Sequence, residues 1–85
     1  MAHHYNDYRA QYPAVKKRIM VSGGFDPIHK GHIRMIREAA KKGEVLVIVN
    51  SDEWLMRKKG FVFMPFEERV EIIQSIKGVH DTSVI

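Results

Sequence analysis

Ser22-Gly23-Gly24-Phe25-Asp26-Pro27-Ile28-His29-Lys30-Gly31-His32 is the stretch that decides how this chain folds. Just before it, Arg18 to Val21 (Arg-Ile-Met-Val) make a short apolar run, which reads as a buried strand stopped by the glycine pair. Just after it, Ile33, Ile36, Ala39 and Ala40 recur at helical spacing, with Arg34, Arg37, Lys41 and Lys42 on the other side. That pattern predicts a helix over about 30–42, closed by Gly43. A strand, a glycine turn and an amphipathic helix in this order open a crossover unit of a parallel sheet.

Working outward, Glu44 to Val49 (Glu-Val-Leu-Val-Ile-Val) is a near-continuous β-branched run, the mark of a strand covered on both faces. Asn50-Ser51-Asp52 carries helix-cap chemistry, Glu53 to Arg57 predicts a short helix, and Lys58-Lys59-Gly60 breaks it. Pro65 suits a helix start, with Glu67 and Glu68 at its positive end and an apolar stripe of Phe66, Val70, Ile73 and Ile76 running to Gly78. Asp81 to Ile85 begin a third strand. The predicted fold is therefore α/β, a Rossmann-like parallel sheet with helices on both faces, in the order β-α-β-α-β. Ligands of such sheets bind beyond the carboxyl ends of the strands. Both loops that follow a strand there, 22–32 and 50–60, are rich in functional side chains and are expected to converge.

Composition narrows the chemistry. Eighty-five residues allow one small domain. The absence of cysteine excludes a disulfide scaffold, a cysteine-ligated metal and a thiol nucleophile. No apolar run reaches the ~18 residues of a membrane helix, so no membrane partner is expected. No leader of the secretory kind opens the sequence, and the expected compartment is the cytoplasm. The net charge of +4 suggests nucleic acid until it is located. Arg9, Lys16, Lys17 and Arg18 outweigh Asp7 in the first residues, whereas the rest of the chain is nearly balanced. Most of the excess thus sits in an arm, residues 1–17, expected to be flexible. Residues 18–85 are the expected folded domain, and nucleic acid is not the expected partner.

The glycine–histidine stretch has the makings of a phosphate site. Gly23 and Gly24 let backbone amides approach an anion without a Cβ in the way. His29 and His32 share one face of a helical first turn, with Gly31 keeping the space between them open. A helix N-terminus favours an anion, and two imidazole donors beside it add hydrogen bonds to developing charge. Each feature alone has a plainer explanation: a glycine turn, a histidine cap, a charged surface loop at Arg57-Lys58-Lys59, an ion-paired Arg69. Asp26 either binds ligand or braces the turn, and Trp54 reads as packing. Two histidines alone are too few for a metal site, and none is expected.

With these residues in view, the chain resembles the cytidylyltransferase-like nucleotidyltransferase family, whose signature is His-x-Gly-His after a strand. The resemblance covers about residues 18–85. It rests on Gly23-Gly24-Phe25-Asp26-Pro27, His29-Lys30-Gly31-His32, Val49-Asn50-Ser51-Asp52-Glu53, the lysines at 58 and 59, and Phe66-Glu67-Glu68-Arg69. Family members include glycerol-3-phosphate cytidylyltransferase, FAD synthetase-type adenylyltransferases and heptose-phosphate adenylyltransferases, and Asn50-Ser51-Asp52 leans toward the last. The resemblance implies transfer of CMP or AMP from CTP or ATP to a small phosphorylated acceptor, with release of pyrophosphate. It implies that His29, His32 and Lys58 are catalytic. Gly23, Gly24, Phe25, Asp26, His29, Gly31 and His32 would bind the nucleotide, and Lys58, Lys59 and Arg69 the phosphates or acceptor, unless Arg69 instead holds the loop that carries Lys58. Mg²⁺ held mainly by the triphosphate, and a homodimer, are further implications.

One departure from the family pattern is length. Members carry further strands and a Ser/Thr/Arg-rich motif that this sequence lacks, so a domain truncated after its third strand is expected, with the first strand left at an edge. The alternative function is a non-catalytic nucleotide- or phosphate-binding remnant. A class I aminoacyl-tRNA synthetase piece also carries His-x-Gly-His, but Arg57-Lys58-Lys59-Gly60 does not reproduce the lysine-rich signature of those enzymes.

Overall fold

The computed structural model describes residues 17–85; the N-terminal arm, but for Lys17, lies outside the described residues. Six elements follow one another: β1 (Arg18–Gly23), α1 (Lys30–Ala40), β2 (Glu44–Val49), α2 (Asp52–Lys59), α3 (Phe66–Gln74) and β3 (Val79–Val84). The strands form one parallel sheet in the order β1-β2-β3, an α/β, Rossmann-like arrangement as predicted. No helix among the described residues is long and apolar enough to cross a membrane.

Local chemistry explains the boundaries. Helix α1 ends two residues before the predicted point, because the amides of Lys41 and Lys42 turn back to the Glu38 and Ala39 carbonyls. Gly43 then passes so close to the start of β1 that a Cβ there would run into the Lys17 carbonyl, which accepts the Glu44 amide at 2.8 Å. The Ser51 hydroxyl caps α2 by accepting the Trp54 amide at 3.0 Å. Gly60 closes α2 at φ 86°, the left-handed conformation that glycine adopts without penalty. Strand β3 starts two residues earlier than predicted. A register irregularity pairs Val79 with Val45 and Asp81 with Leu46, so His80 is accommodated as an extra residue.

The core lies on one side of the sheet. Val45, Val47 and Val49 alternate along β2, and they are fully buried with Ile36 of α1 and Ile73 of α3. Each such side chain removed from water contributes roughly 1.5–3 kcal/mol. The intervening Leu46 and Ile48 are only half-buried, and Met20, in register with Leu46, is 64% exposed. The expected two-sided cover is therefore corrected: both helices that pack on the sheet share a face. Both crossovers step the same way across the sheet, β1 to β2 to β3, and right-handed crossovers in one direction place their helices on one side.

Candidate functional site

At the carboxyl ends of β1 and β2 a cleft of about 350 Å³ is lined by Gly24, Phe25, Asp26, Pro27, His29, His32, Trp54, Leu55, Lys58 and Lys59. The two loops expected to converge do so here. Tight backbone geometry shapes the floor. Phe25 adopts φ 53°, unusual for a residue with a Cβ, with its ring buried. Gly24 packs so closely on α2 that a Cβ would stand 3.0 Å from Leu55 Cδ2.

The histidines form a reciprocal cap on α1. His29 is the N-cap, and its Nδ1 accepts the Gly31 amide at 3.0 Å. His32, one turn on, reaches back so that its Nδ1 accepts the His29 amide at 3.1 Å. This is the geometry of a capping box, with imidazoles in place of the usual Ser and Glu side chains. Because each Nδ1 is an acceptor, the proton of each neutral ring resides on Nε2. Both rings line the cleft, their centroids 3.9 Å apart, and each keeps an Nε2–H donor for a ligand. Phe25 supports His32 edge-on at 4.9 Å. Burial, and then the neighbouring His29, hold the His32 pKa below the ordinary histidine value, favouring the neutral capping form. At Gly31 a Cβ would lie 2.8 Å from His29 Cε1, so the glycine is what lets the capping ring lie flat over the turn.

Asp26 lines the cleft, but its carboxylate is already engaged. Its carboxylate, with no exposed side-chain surface, accepts the Phe63 amide at 2.8 Å, the Met64 amide at 2.6 Å and Lys59 Nζ at 3.1 Å. Burial by itself would push its pKa up, but the two amides and Lys59 more than reverse this, and the group sits below the usual carboxylate value. Of the two meanings open to Asp26, bracing is the one the structure displays, although the loop braced is a distant one. Lys59 is occupied in the same clasp, donating also to the Asp26 carbonyl at 2.9 Å. Lys58, by contrast, lines the cleft, is exposed, and has no ion-pair partner among the described residues.

For Arg69 the phosphate-binding role is corrected, since it does not fit a side chain that is 0% exposed, and the other role, holding the loop that carries Lys58, is the one its contacts fit. Nε donates to the Met64 carbonyl, Nη1 to the Gly24 and Asn50 carbonyls, and Nη2 to Asp52 Oδ1, at 2.6–2.8 Å. The guanidinium joins the ends of β1 and β2, the start of α2 and the segment before α3. Gly23 also stands back from the cleft, as the last residue of β1 with its carbonyl accepting the Asn50 amide. The structure thus brings together Gly24, Phe25, Asp26, His29, His32, Lys58 and Lys59, and sets Gly23, Gly31 and Arg69 behind them. Sequence reasoning passed over Phe61 and Phe63, which stand beside Lys59 and are 48% and 67% exposed. Their signal was an aromatic–x–aromatic pair directly after the Lys-Lys-Gly break.

Residues 20–85 match the family described as Cytidylyltransferase-like. The FAD synthase of Ferroglobus placidus is 35% identical over 65 residues, covering 76% of this chain and 43% of that protein. The FAD synthase of Archaeoglobus profundus is 39% identical over 62 residues, covering 73% and 40%. The bifunctional protein HldE of Desulfatibacillum aliphaticivorans is 36% identical over 72 residues, covering 81% of this chain and 15% of that one. The chain thus spans less than half the length of these relatives. Its fold is similar to the crystal structure of the lipopolysaccharide core biosynthesis protein from Thermoplasma volcanium GSS1. The TM-score is 0.75 at 28% identity, with 84% of this chain and 59% of that one covered.

Proposed function

The chain belongs to the cytidylyltransferase-like family, and from that premise we propose that it carries the triphosphate-binding and catalytic half of a nucleotidyltransferase. The reaction is transfer of AMP or CMP from ATP or CTP to a small phosphorylated acceptor. A phosphate oxygen of the acceptor attacks the α-phosphorus, the bond to the β-phosphate oxygen breaks, and pyrophosphate leaves. Such chemistry depends on positioning and on stabilising charge rather than on a covalent intermediate.

The observation that carries this reading is the reciprocal histidine cap. Two imidazoles, each held by its own Nδ1, present Nε2–H donors side by side at a helix N-terminus. Donors fixed before the reaction need no reorganisation as negative charge builds on the α-phosphate oxygens. Lys58, on the facing helix α2, is the cation suited to bridge acceptor phosphate and α-phosphate. Asp26 and Arg69 are positioning residues, and Gly24 and Phe25 contribute main chain to the nucleotide side.

Magnesium would neutralise the triphosphate. The carboxylates nearest the cleft are engaged, Asp26 by two amides and Lys59 and Asp52 by Arg69. The described residues hold no cluster of three or more metal-ligating side chains. Among the described residues the side chains do not gather into a magnesium cage, and we expect the ion to arrive on the nucleotide.

The relatives named FAD synthase favour an adenylyl group passed to a flavin phosphate, since FAD is AMP joined to such a phosphate. The alternative, a binding remnant without turnover, shares the first test. Pyrophosphate release is assayed with ATP and CTP on the full natural gene product, with nucleotide affinity measured alongside. His32→Ala is expected to lower turnover by about 10²-fold or more with the fold intact. Unchanged turnover would remove the catalytic assignment, and nucleotide binding without turnover in the unaltered protein would select the remnant.

A further inference from the structure

Phe61 and Phe63 are held at the lip of the cleft in a way that packing does not explain. Single exposed aromatics are ordinary on a surface, but these two stand edge to face at 5.2 Å, with Lys59 Nζ 4.7 Å from the Phe61 ring centre. The short segment that bears them is pinned at its carboxyl end from two directions. Asp26 takes the Phe63 and Met64 amides, and Arg69 takes the Met64 carbonyl. A buried carboxylate and a buried guanidinium thus order a loop whose side chains bury little of themselves. Lys59 lies beside this aromatic pair and lines the cleft together with Lys58, so an apolar surface adjoins the cleft that holds a cation for phosphate.

We propose that Phe63, with Phe61 set at right angles beside it, offers the platform, a ring face on which the acceptor's flat aromatic ring stacks while its phosphate enters the cleft toward Lys58. The acceptor class is then an aryl or flavin phosphate monoester rather than an open polyol or sugar phosphate. This rests on the nucleotidyltransferase reading and names its acceptor side. Stacking suits a planar ring because rigid aromatic surfaces give contact area with little loss of freedom. A polyol offers no such face and would leave both phenylalanines in water.

The test is a fluorescence titration of the 85-residue chain with flavin mononucleotide, in the presence of a non-hydrolysable ATP or CTP analogue. Riboflavin and glycerol 3-phosphate serve as comparators. Flavin mononucleotide should bind with quenching, riboflavin more weakly for want of the phosphate, and glycerol 3-phosphate should not displace the flavin. Phe61→Ala and Phe63→Ala should each weaken flavin mononucleotide about tenfold while leaving analogue affinity and circular dichroism unchanged. Phe63→Leu, which keeps apolar area without a ring face, should recover little. Unchanged flavin affinity in the phenylalanine variants, a loss seen only in Trp54→Ala, or equal binding of glycerol 3-phosphate would overturn the platform. Analogue binding without flavin binding removes the platform and leaves the nucleotidyltransferase reading standing. Flavin binding that depends on both rings without analogue binding does the reverse, and binding of neither removes both.

Discussion

At Gly31 the missing side chain does the positioning. The His29 ring lies where a Cβ would stand, 2.8 Å from Cε1, and in that pose Nδ1 reaches the Gly31 amide. Gly31→Ala should swing the ring out, lose a cap at a cost of about 1 kcal/mol, and weaken nucleotide binding together with stability. Urea denaturation and a nucleotide titration check the two, and an unaltered affinity would mean that the cap does not aim His29. His32 gives a pH prediction with a definite sign. Its folded pKa is lowered, first by burial and then by His29, so the unfolded chain binds the proton more readily. The stabilisation is present above the unfolded value of about 6.5 and is lost as pH falls through the lower folded value. Protonation at Nδ1 would also turn the acceptor of the His29 amide into a donor. Gln is a natural residue for this position of a capping box and does not titrate. The melting temperature of wild type should therefore fall more steeply from pH 8 to 5 than that of His32→Gln, with His29 common to both proteins. Equal slopes would show that the His32 cap is not what acid disturbs.

Between elements, two buried ionic side chains hold the cleft together, and they separate positioning from phosphate binding. Arg69→Ala would strand three carbonyls and Asp52, an expected loss of about 3–5 kcal/mol, because four donor contacts from one side chain disappear at once. A phosphate ligand would behave otherwise, raising the KM for nucleotide while leaving the denaturation midpoint in place. The neighbouring lysines should divide in the same way. Lys59→Ala frees the Asp26 clasp and lowers stability, whereas Lys58→Ala leaves the midpoint alone and weakens acceptor use; matching effects would cancel the distinction drawn between them. These joints also mark where sequence reading stopped. Strand β2 was legible from its unbroken apolar run, and the Ser51 cap and the His-x-Gly-His turn because their partners lie within a few residues and leave a spacing. The individual partners of Arg69 were not, since most of them are main-chain carbonyls, which every residue carries. The Asp26 contacts cross more than thirty positions to amides of equal anonymity.

For the whole molecule, the unequal faces of the sheet govern behaviour in solution. The strand order β1-β2-β3 is a single direction of travel, so α1 and α3 cover the Val45, Val47 and Val49 face together. The β-branched run in β2 gave no warning of this, because Leu46 and Ile48 are as apolar as the valines between them and two-sided burial looks the same in one dimension. On the opposite face, Met20, Leu46 and Ile48 form an apolar strip next to Ser22, Asp81 and Ser83, and no helix of the described residues packs there. β1 is also an edge, without a strand partner on its outer side among the described residues. An apolar face continuous with an open edge favours association. The 85-residue chain should therefore self-associate in a concentration-dependent way in sedimentation velocity. Met20→Lys should shift it toward monomer without lowering the melting temperature, since that side chain is already 64% exposed. Nucleotide affinity should hold, because the cleft opens at the strand ends and not on this face. Association undiminished by Met20→Lys would move the contact elsewhere, whereas a drop in nucleotide affinity on dissociation would mean that a second copy completes the site.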